Sequence, residues 1–484
     1  MEPMQSSFVS GALGAAWEGA APPERLCGVT RDSRECGAGW LYFALPGTRA
    51  DGHDFLGAVA SAGGAAVIAA DCPAEKIPSG LAFLRVASPR AALLELGGAH
   101  RRRFGGVKVA GVTGSVGKTT TRRLLAAMLR RCGKTCETTG NYNNDIGLPL
   151  SLFGLDADTA FGVFEAGISH PGEMAPLAGA MLPDVAVFTP PGEAHIGNFG
   201  SVEGIIREKA GLAAGLGERG GTVVLGDAAR EAGYAQFAAG ARLVRCRVEA
   251  GGADPGAADG AWDYLGRVRG AGDEMDVEER EGGARVRLPV PAPGGFMALN
   301  LLRAAAAART MGAGWGDIAA AAAGYGGWAG RWETVRLANG ATAIHDAYNA
   351  NPLSMAEGLA ALARRHAGQR RFVVVGPMLE LGEEREAEAH RAVGEQLARE
   401  GFAAAVVLAR EEPGAEGDAA ARALAAPLLA AGRGNDVLLT GDGAEAAAFL
   451  AGRMEAGDVL YLKASRGVRA ERVLEHFERE KGPC

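Results

Sequence analysis

The sequence predicts an α/β protein of three domains, and three observations support this. The chain has 484 residues, about three times the length of an ordinary domain. Short apolar segments typical of buried strands alternate with helical segments over most of the chain, which favours parallel sheets. Breaks in this pattern near residues 105 and 330 divide the chain into a small α/β domain (1–105), a central α/β domain with a parallel sheet (106–329) and a Rossmann-like α/β domain (330–484).

The composition excludes several classes of protein. Hydrophobic residues make up 48% and charged residues 22%, so the chain has enough apolar material for large cores. The net charge of −7 disfavours a nucleic-acid partner. The seven cysteines include no Cys-x-x-Cys pair, which disfavours a disulfide scaffold or a zinc site. We find no signal peptide and no run of 18 apolar residues, and we therefore expect a cytoplasmic protein without membrane insertion.

The first domain is predicted from short apolar runs that glycine and proline separate. Two of these runs, at 40–45 and 65–70, have the length of buried strands. The segment 91–100 has a helical pattern and is followed by the basic run 101–103. This arrangement indicates a small α/β domain that ends in a connection to the next domain.

The central domain opens with a strand, a glycine-rich loop and a helix. The strand VKVAGV runs into TGSVGKTTT, and the amphipathic helix that follows ends at Gly133. Further buried strands are predicted at 159–165, 185–189 and 222–225, which together favour a mostly parallel sheet. The polar, glycine-rich segment 250–290 predicts a β-hairpin. Helices are then expected at 299–311 and 316–323.

The third domain repeats the alternation of strands and helices, which is typical of a doubly wound sheet. Its predicted strands are 342–346, 371–375, 404–408, 436–439 and 459–463, and its predicted helices are 354–367, 384–400, 415–431 and 443–454. No G-x-G-x-x-G pattern follows its first strand, so a Rossmann-like fold does not here imply a dinucleotide.

The strongest chemical signal is the segment GVTGSVGKTTT at 111–121. Backbone N–H groups of such a loop converge on phosphate oxygens, Lys118 would neutralise the β- and γ-phosphates, and the Thr119 hydroxyl would contact Mg²⁺. Five residues separate Gly111 from Gly117, where the common P-loop has four. The alternative is a glycine-rich turn at a helix start. A lysine and three threonines directly after a strand favour a nucleoside triphosphate.

Two further segments of the central domain carry candidate residues. Polar side chains at Thr139, Asn141, Asn143 and Asn144 precede a predicted helix, and contact with a ligand or a ligand-free Asx turn explains them equally well. Glu165 ends a predicted strand, where a carboxylate faces the ligand crevice of an α/β sheet and suits Mg²⁺; the alternative is a capped strand end.

Other candidate residues are weaker when each is taken alone. His195 follows a predicted strand, but a lone histidine is usually structural. Lys209 is typical of a solvated charge on a helix surface. In the third domain, Asp346 follows a strand and can accept ribose hydroxyls. Tyr348, Asn349 and Asn351 lead into a helix, for which a polar cap is the alternative. Lys463, Ser465 and Arg466 follow a strand and suit recognition of a carboxylate or phosphate.

Taken in order, these motifs resemble the Mur ligase family of peptidoglycan synthesis over nearly the whole chain. The segment RDSRECGAGWLYFALPGTRADGHDF is similar to the family's uridine-nucleotide domain at Asp32, Ser33, Arg34, Asp51, Gly52 and His53. GVTGSVGKTTT resembles the family's P-loop, including the five-residue gap. DAYNANPLSM and MLELGEE resemble the branch of the family that adds D-alanyl-D-alanine.

The resemblance implies an ATP-dependent, ADP-forming amide ligase. ATP would phosphorylate the terminal carboxylate of UDP-N-acetylmuramoyl-tripeptide, and the amine of D-alanyl-D-alanine would attack the acyl phosphate. This reaction is the last cytoplasmic step towards the pentapeptide precursor of the cell wall, on which cell shape and division depend. The implied cofactors are ATP and Mg²⁺, the implied partners are these two small-molecule substrates, and the implied oligomeric state is a monomer.

The resemblance also implies roles for individual residues. Thr119 and Glu165 would hold one Mg²⁺, and His195 and a carbamylated Lys209 a second. The implied catalytic residues are Lys118, Glu165, His195 and Lys209. The implied ATP-binding residues are Thr113, Gly114, Ser115, Val116, Gly117, Lys118, Thr119, Thr120, Asn300, Arg331 and Asp346. The implied substrate-binding residues are Ser33, Arg34, Asp51, His53, Thr139, Asn141, Asn143, Asn144, Tyr348, Asn349, Asn351, Lys463, Ser465 and Arg466.

Three alternative functions compete with this interpretation. Phe296 and Met297 stand where the family has His and Asn, which predicts more apolar adenine contacts and leaves room for a divergent ligase with another amine acceptor or peptide. A ligase of the folylpolyglutamate branch lacks the uridine-type first domain. A P-loop NTPase switch would not explain the motifs that lie far from the P-loop.

Overall fold

A computed structural model describes residues 1–47, 50–192, 196–226, 229–249, 262–270, 272–291, 295–325, 330–379, 381, 383–410 and 418–479. The chain divides into two compact units. The first unit comprises Met1–Pro191, Glu203–Cys246 and Arg303–Ile318, and the second comprises Gly192–Val202, Arg247–Leu302 and Ala319–Cys484. The first unit contains residues from both sides of the expected boundary at 105, so that boundary stays a prediction.

The first hundred residues form a small sheet with helices against it. The elements are β1 (Met4–Gln5), α1 (Ser6–Leu13), β2 (Trp17–Gly19), β3 (Arg25–Leu26), β4 (Gly28–Thr30), β5 (Trp40–Phe43), α2 (Leu56–Ser61), β6 (Ala65–Ala69), β7 (Ala82–Val86) and α3 (Pro89–Arg102). The five-stranded sheet has the order β2-β7-β6-β5-β4, in which β4 to β7 are parallel. The small α/β fold predicted for this segment is therefore confirmed.

The next 140 residues form the parallel sheet predicted for the central domain. Its elements are β8 (Lys108–Thr113), α4 (Lys118–Leu129), β9 (Thr135–Glu137), α5 (Gly147–Leu152), β10 (Phe161–Glu165), α6 (Met174–Met181), β11 (Val185–Phe188), α7 (Ile196–Phe199), α8 (Val202–Ala210), β12 (Thr222–Gly226), α9 (Ala229–Ala235) and β13 (Arg242–Glu249). The strand order is β13-β12-β11-β8-β10-β9 with every pairing parallel. The sheet brings the carboxyl ends of β8, β10 and β11 together.

Helix α3 joins the two sheets of the first unit by packing against α5 and α6. Two adjacent glycines permit the close approach, because a Cβ at Gly97 would lie 2.5 Å from Pro149 Cβ and one at Gly98 would lie 3.1 Å from Ala180 Cα. Phe153, beyond α5, is buried in the same core as the first sheet. Residues 1–105 thus share an apolar core with α5 and the residues that flank it.

The hairpin predicted for 250–290 is confirmed as three antiparallel strands. These are β14 (Tyr264–Arg269), β15 (Glu274–Glu279) and β16 (Arg285–Pro289). Residues 250–261, where the prediction began, lie outside the described part. Two helices follow, α10 (Gly295–Thr310) and α11 (Trp315–Ala323).

The last third of the chain is the predicted doubly wound domain. Its elements are β17 (Glu333–Arg336), β18 (Thr342–His345), α12 (Pro352–Arg365), β19 (Arg371–Val375), α13 (Glu383–Glu400), β20 (Ala404–Leu408), α14 (Ala419–Ala430), β21 (Val437–Thr440), α15 (Gly443–Ala451), β22 (Val459–Lys463) and α16 (Glu471–Arg479). The sheet order is β17-β18-β22-β19-β20-β21, with β17 antiparallel at one edge. Alternate residues of β19 enter two different cores, one with α15 and α16 and one with α12, α13 and α14. Helices therefore cover both faces of this sheet.

None of the helices within the described ranges combines the length and the apolar character that crossing a membrane requires.

Candidate active site

The glycine-rich loop follows β8 at the carboxyl edge of the central sheet. Thr113 ends the strand, and its hydroxyl donates a hydrogen bond to the Ala166 carbonyl at 2.8 Å. Gly114 has φ of 144°, and a Cβ there would lie 2.0 Å from Thr189 Oγ1. Gly117 has φ of 87° and immediately precedes α4. The loop therefore needs glycine at both positions, because L side chains rarely adopt these conformations.

The predicted phosphate-binding N–H groups fall into two sets. Those of Ser115 and Val116 donate to the Pro190 carbonyl at 3.0 and 3.4 Å, which ties the loop to the end of β11. Those of Lys118, Thr119 and Thr120 lie in the first turn of α4, where no carbonyl of the helix can accept them. This second set, together with the positive end of the helix dipole, is suited to bind an anion.

Glu165 lies at the centre of the polar groups behind this loop. Its carboxylate accepts a hydrogen bond from Thr119 Oγ1 at 2.9 Å on one oxygen and from Asn143 Nδ2 at 2.9 Å on the other. Its backbone N–H donates to Thr138 Oγ1 at 2.8 Å. Glu165 is only 2% exposed. The structure thus brings together Thr119 and Glu165, the pair that the resemblance implied for one Mg²⁺.

The side chains around Glu165 have the ligand atoms that a magnesium ion prefers. Thr119, Glu165 and Asn143 offer only oxygen atoms as ligands, and Mg²⁺ is commonly held by one or two carboxylates together with the phosphates of its substrate. Within the described ranges, no cluster of three or more His, Cys, Asp or Glu residues could hold a metal by itself. His195, expected at a second ion, lies outside the described residues.

The sequence left two interpretations of the asparagine-rich segment open, namely contact with a ligand and a ligand-free Asx turn. The structure supports the first for one residue and the second for another. Asn143 reaches Glu165 and so belongs to the site. Asn144 instead makes an Asx turn, since its Oδ1 accepts the N–H groups of Ile146 and Gly147. The backbone N–H of Thr139 donates to Ser151 Oγ at 3.2 Å, and the carbonyl of Asn141 accepts the N–H of Asn143. Only Asn143 is thereby placed against the carboxylate.

Sequence reasoning missed Arg122 and Glu137. Arg122 is completely buried on α4, and its Nε lies 3.6 Å from Glu165 Oε2. Its Nη1 forms an ion pair with Glu137, which also pairs with Arg130. One signal could have found Arg122, because it follows Lys118 by four residues and residues four apart share a helix face.

Lys209 is buried on α8, only 4% exposed, which excludes the interpretation as a solvated helix charge. Burial, reinforced by the positive charge of Lys118, lowers the pKa of Lys209 to about 7, while Glu165 and Glu208 act in the opposite direction. A buried amine with this pKa is partly uncharged at neutral pH, and the uncharged amine is the form that combines with CO₂. Lys209 therefore suits the carbamylation that the resemblance implied.

The predicted uridine-site residues form two separate groups. Asp51 accepts hydrogen bonds from His53 Nδ1 at 2.7 Å and from Lys76 Nζ at 3.2 Å, and His53 Nε2 accepts the Ala69 N–H at 3.0 Å. With both ring nitrogens engaged, His53 fixes this loop and would have to give up a hydrogen bond to contact a substrate. Arg34 is exposed and pairs with Asp32, and Ser33 lies between these two residues.

In the second unit, three polar residues meet at the ends of β18 and β22. Asp346 accepts hydrogen bonds from Tyr461 OH at 2.9 Å and from Lys463 Nζ at 2.8 Å. Burial, together with the charge of Asp346, raises the pKa of Tyr461 well above its usual value. The predicted ribose-binding carboxylate and the predicted substrate-binding lysine are thus partners of each other.

The residues beside this pair form a cationic cluster and a helix cap. The guanidinium groups of Arg331 and Arg466 lie 4.5 and 5.2 Å from the centre of the Tyr348 ring. Asn351 caps α12 in a reciprocal arrangement with Ser354, as the capping alternative predicted. Asn349 Oδ1 accepts the N–H of Ala350.

Two more predicted residues of the second unit are placed. The hydroxyl of Ser465 accepts the N–H of Leu379 at 3.1 Å. Asn300, on α10, is buried, and its side-chain oxygen has no hydrogen-bond partner within the described residues. An unpaired buried oxygen of this kind is suited to a polar ligand. The side chain of Phe296 lies outside the described part of the chain, so the expected apolar adenine contact stays a prediction.

Comparison with known proteins identifies the class of protein that this fold and site define. Three family models match, namely the Mur ligase family catalytic domain at residues 25–101, the Mur ligase middle domain at 112–308 and the Mur ligase glutamate ligase domain at 330–466. With the relatives given below, these matches show that the chain belongs to the Mur ligase family.

The most similar relatives share one name. The UDP-N-acetylmuramoyl-tripeptide–D-alanyl-D-alanine ligase of Mycobacterium tuberculosis H37Rv is 34% identical over 95% of this chain and 94% of its own length. The Escherichia coli K12 protein of the same name is 34% identical over 76% of this chain and 78% of its own. Among solved structures, MurF from Acinetobacter baumannii matches with a TM-score of 0.83 and 26% identity, covering 99% of both chains. MurF ligase from Thermotoga maritima in complex with ADP matches with a TM-score of 0.74 and 27% identity, covering 93% of this chain and 97% of its own.

Proposed function

We propose that this chain joins D-alanyl-D-alanine to the terminal carboxylate of UDP-N-acetylmuramoyl-tripeptide, with ATP converted to ADP and phosphate. The observation that carries the proposal is the contact of Thr119 with Glu165 at the start of α4, directly after the glycine loop and Lys118. The name shared by the relatives supports the choice of substrates.

The chemistry proceeds through an acyl phosphate. A carboxylate is a poor electrophile, so an oxygen of the tripeptide carboxylate first attacks the γ-phosphorus of ATP and ADP leaves. The amine of D-alanyl-D-alanine then attacks the acyl carbon. The tetrahedral intermediate loses phosphate and one proton, and the amide remains. Both the carboxylate and the ATP phosphates are anions, so the protein must offset their repulsion.

The residues of the first unit perform that task. Lys118 and the first-turn N–H groups of α4 hold the phosphates and their developing charge. Thr119 and Glu165 would hold Mg²⁺, which, when bound, draws charge from the phosphate oxygens. We assign Asn143 to the orientation of Glu165, because its amide donates to the oxygen that Thr119 does not contact.

We extend the proposal to a carbamate on Lys209. The uncharged amine would attack CO₂ and lose one proton, which converts a neutral buried group into an anion. Such an anion suits a second Mg²⁺ site with His195, as the resemblance implied. The burial and lowered pKa of Lys209 support this step.

The remaining assignments concern the other substrate-binding residues, the oligomeric state and the cellular location. We assign the loop around Asp51 and the Asp32–Arg34 segment to the uridine nucleotide. In the second unit, we assign Asn300, Arg331 and Asp346 to ATP, and Lys463, Ser465 and Arg466 to peptide carboxylates. We infer a monomer that acts in the cytoplasm, where ATP and nucleotide-linked precursors are available.

The proposal is tested by the substrate dependence of ADP release. Release of ADP over many turnovers should require both UDP-N-acetylmuramoyl-tripeptide and D-alanyl-D-alanine, because without the dipeptide the reaction stops at the acyl phosphate. Lys118→Ala should abolish turnover and leave binding of the UDP substrate unchanged, because the uridine residues lie on another sheet. ADP release that is indifferent to both substrates would contradict the proposal. Release with another amine in place of the dipeptide would favour a divergent acceptor.

A further inference from the structure

A buried arginine lies beside the carboxylate assigned to Mg²⁺. Arg122 has no exposed side-chain surface, and its Nε is 3.6 Å from Glu165 Oε2. This distance is that of an ion pair but is too long for a hydrogen bond. Thr119 donates to that same carboxylate oxygen. The cation thus lies next to the oxygen on which a metal would depend.

The rest of the guanidinium is held on the side away from Glu165. Arg122 Nη1 pairs with Glu137 on β9, and Nη2 donates to the Gly140 carbonyl at 3.4 Å. Glu137 is partly buried and also pairs with Arg130, whose side chain is half exposed. The two arginines and the two glutamates of this cluster balance in charge.

The arrangement has an electrostatic consequence. Arg122 and Mg²⁺ are both cations, and the carboxylate of Glu165 attracts and stabilises both. In a buried site the attraction between opposite charges is much stronger than in water. A buried arginine that lost Glu137 would have Glu165 as its nearest anionic partner and would compete with the metal for it.

We propose that Glu137 is a positioning residue, which holds Arg122 back from Glu165 and so keeps this carboxylate available to Mg²⁺. The inference rests on the proposed function only in taking Glu165 as a metal ligand. The side-chain contacts of Glu137 are with Arg122 and Arg130, so it would act on the metal ligand through Arg122.

The experiment measures binding of Mn²⁺ in the presence of ADP by electron paramagnetic resonance, on the full-length protein. Glu137→Gln should weaken Mn²⁺ binding by about tenfold or more, the effect common for residues that orient metal ligands. The matching steady-state result is a higher Mg²⁺ requirement for turnover with little change in kcat at saturating Mg²⁺. Glu137→Asp keeps the charge and should bind Mn²⁺ nearly as the parent does.

Two further variants separate positioning from a loss of structure. Arg130→Gln removes the other partner of Glu137 but leaves the Arg122–Glu137 pair, so Mn²⁺ affinity should not change. Arg122→Gln combined with Glu137→Gln removes the competing cation as well, so the affinity should return towards that of the parent. A Glu137→Gln protein with the parent's affinity would overturn the inference. So would a double variant that binds as weakly as the single one. Since Mn²⁺ and ADP are the probes, these outcomes do not depend on whether the peptide is ligated.

Discussion

Replacing Gly114 with alanine should damage the nucleotide site without disturbing the loop around Asp51, which we assign to the uridine nucleotide. The perturbation is a single methyl group. Gly114 has φ of 144°, a conformation that costs an L-residue about 1–3 kcal/mol. The added Cβ would also lie 2.0 Å from Thr189 Oγ1 and 2.5 Å from the Thr189 carbonyl oxygen. The hydroxyl could rotate away, but the carbonyl belongs to the backbone at the end of β11.

The loop must therefore move when Gly114 is replaced. An energy of about 1–3 kcal/mol corresponds to a factor of about 5–150 in the population of the binding-competent loop. We expect the KM for ATP to rise within this range. Binding of the UDP substrate, measured by calorimetry, should stay at the parent value. Gly106→Ala is the matched control, because nothing lies within 4 Å of the Cβ it would add.

A second variant tests whether the clash is with the backbone of Thr189 or with its side chain. Thr189→Ala removes the hydroxyl but not the carbonyl, so combining it with Gly114→Ala should restore little of the ATP affinity. An unchanged KM for ATP in Gly114→Ala would refute the reasoning. Full recovery in the double variant would show that the side chain, and not the backbone, sets the restriction.

Three further predictions follow from buried groups. Removal of dissolved CO₂ should lower turnover and added bicarbonate should restore it, and turnover that ignores both would contradict the carbamate on Lys209. Arg303→Met should lower the free energy of unfolding by about 3–5 kcal/mol, because it leaves Glu231, which Arg303 Nη2 contacts at 2.6 Å, buried and without its cation. Denaturant unfolding measures this effect, and a change below about 1 kcal/mol would be inconsistent with it. Gly97→Val should destabilise the protein by about 1–3 kcal/mol, since its Cβ would lie 2.5 Å from Pro149 Cβ. The KM for ATP should not change in this variant, and a rise would show that the packing of α3 reaches the P-loop.

The fold was largely predictable because local patterns and their tertiary environment agree. The strands predicted at 371–375, 404–408 and 459–463 match Arg371–Val375, Ala404–Leu408 and Val459–Lys463 at both ends. Each is an apolar run that is buried on both faces, which the sequence shows directly. β9 and β13 were missed, because β9 is only three residues long and β13 alternates arginine with apolar residues.

The site residues were predictable where a sequence motif fixes the backbone. They were unpredictable where the role of a side chain depends on its burial. The P-loop and Glu165 are defined by their positions at the carboxyl ends of strands. Arg122 and Lys209 look like ordinary charges of helix surfaces, and only the packing of α4 and α8 shows that both are buried. Asn144 and Asn351 have the residue type of ligands, yet one makes an Asx turn and the other caps a helix. Side-chain type alone cannot separate these roles.

The central claim is that the tripeptide carboxylate becomes an acyl phosphate before the dipeptide amine captures it. Tripeptide substrate labelled with ¹⁸O in its terminal carboxylate tests this claim, with the products analysed by mass spectrometry. If an acyl phosphate forms, the products are a UDP-linked pentapeptide and inorganic phosphate that carries one ¹⁸O atom, since the oxygen that attacks phosphorus leaves with the phosphate. A pentapeptide accompanied by unlabelled phosphate, or no lengthened peptide at all, would contradict it.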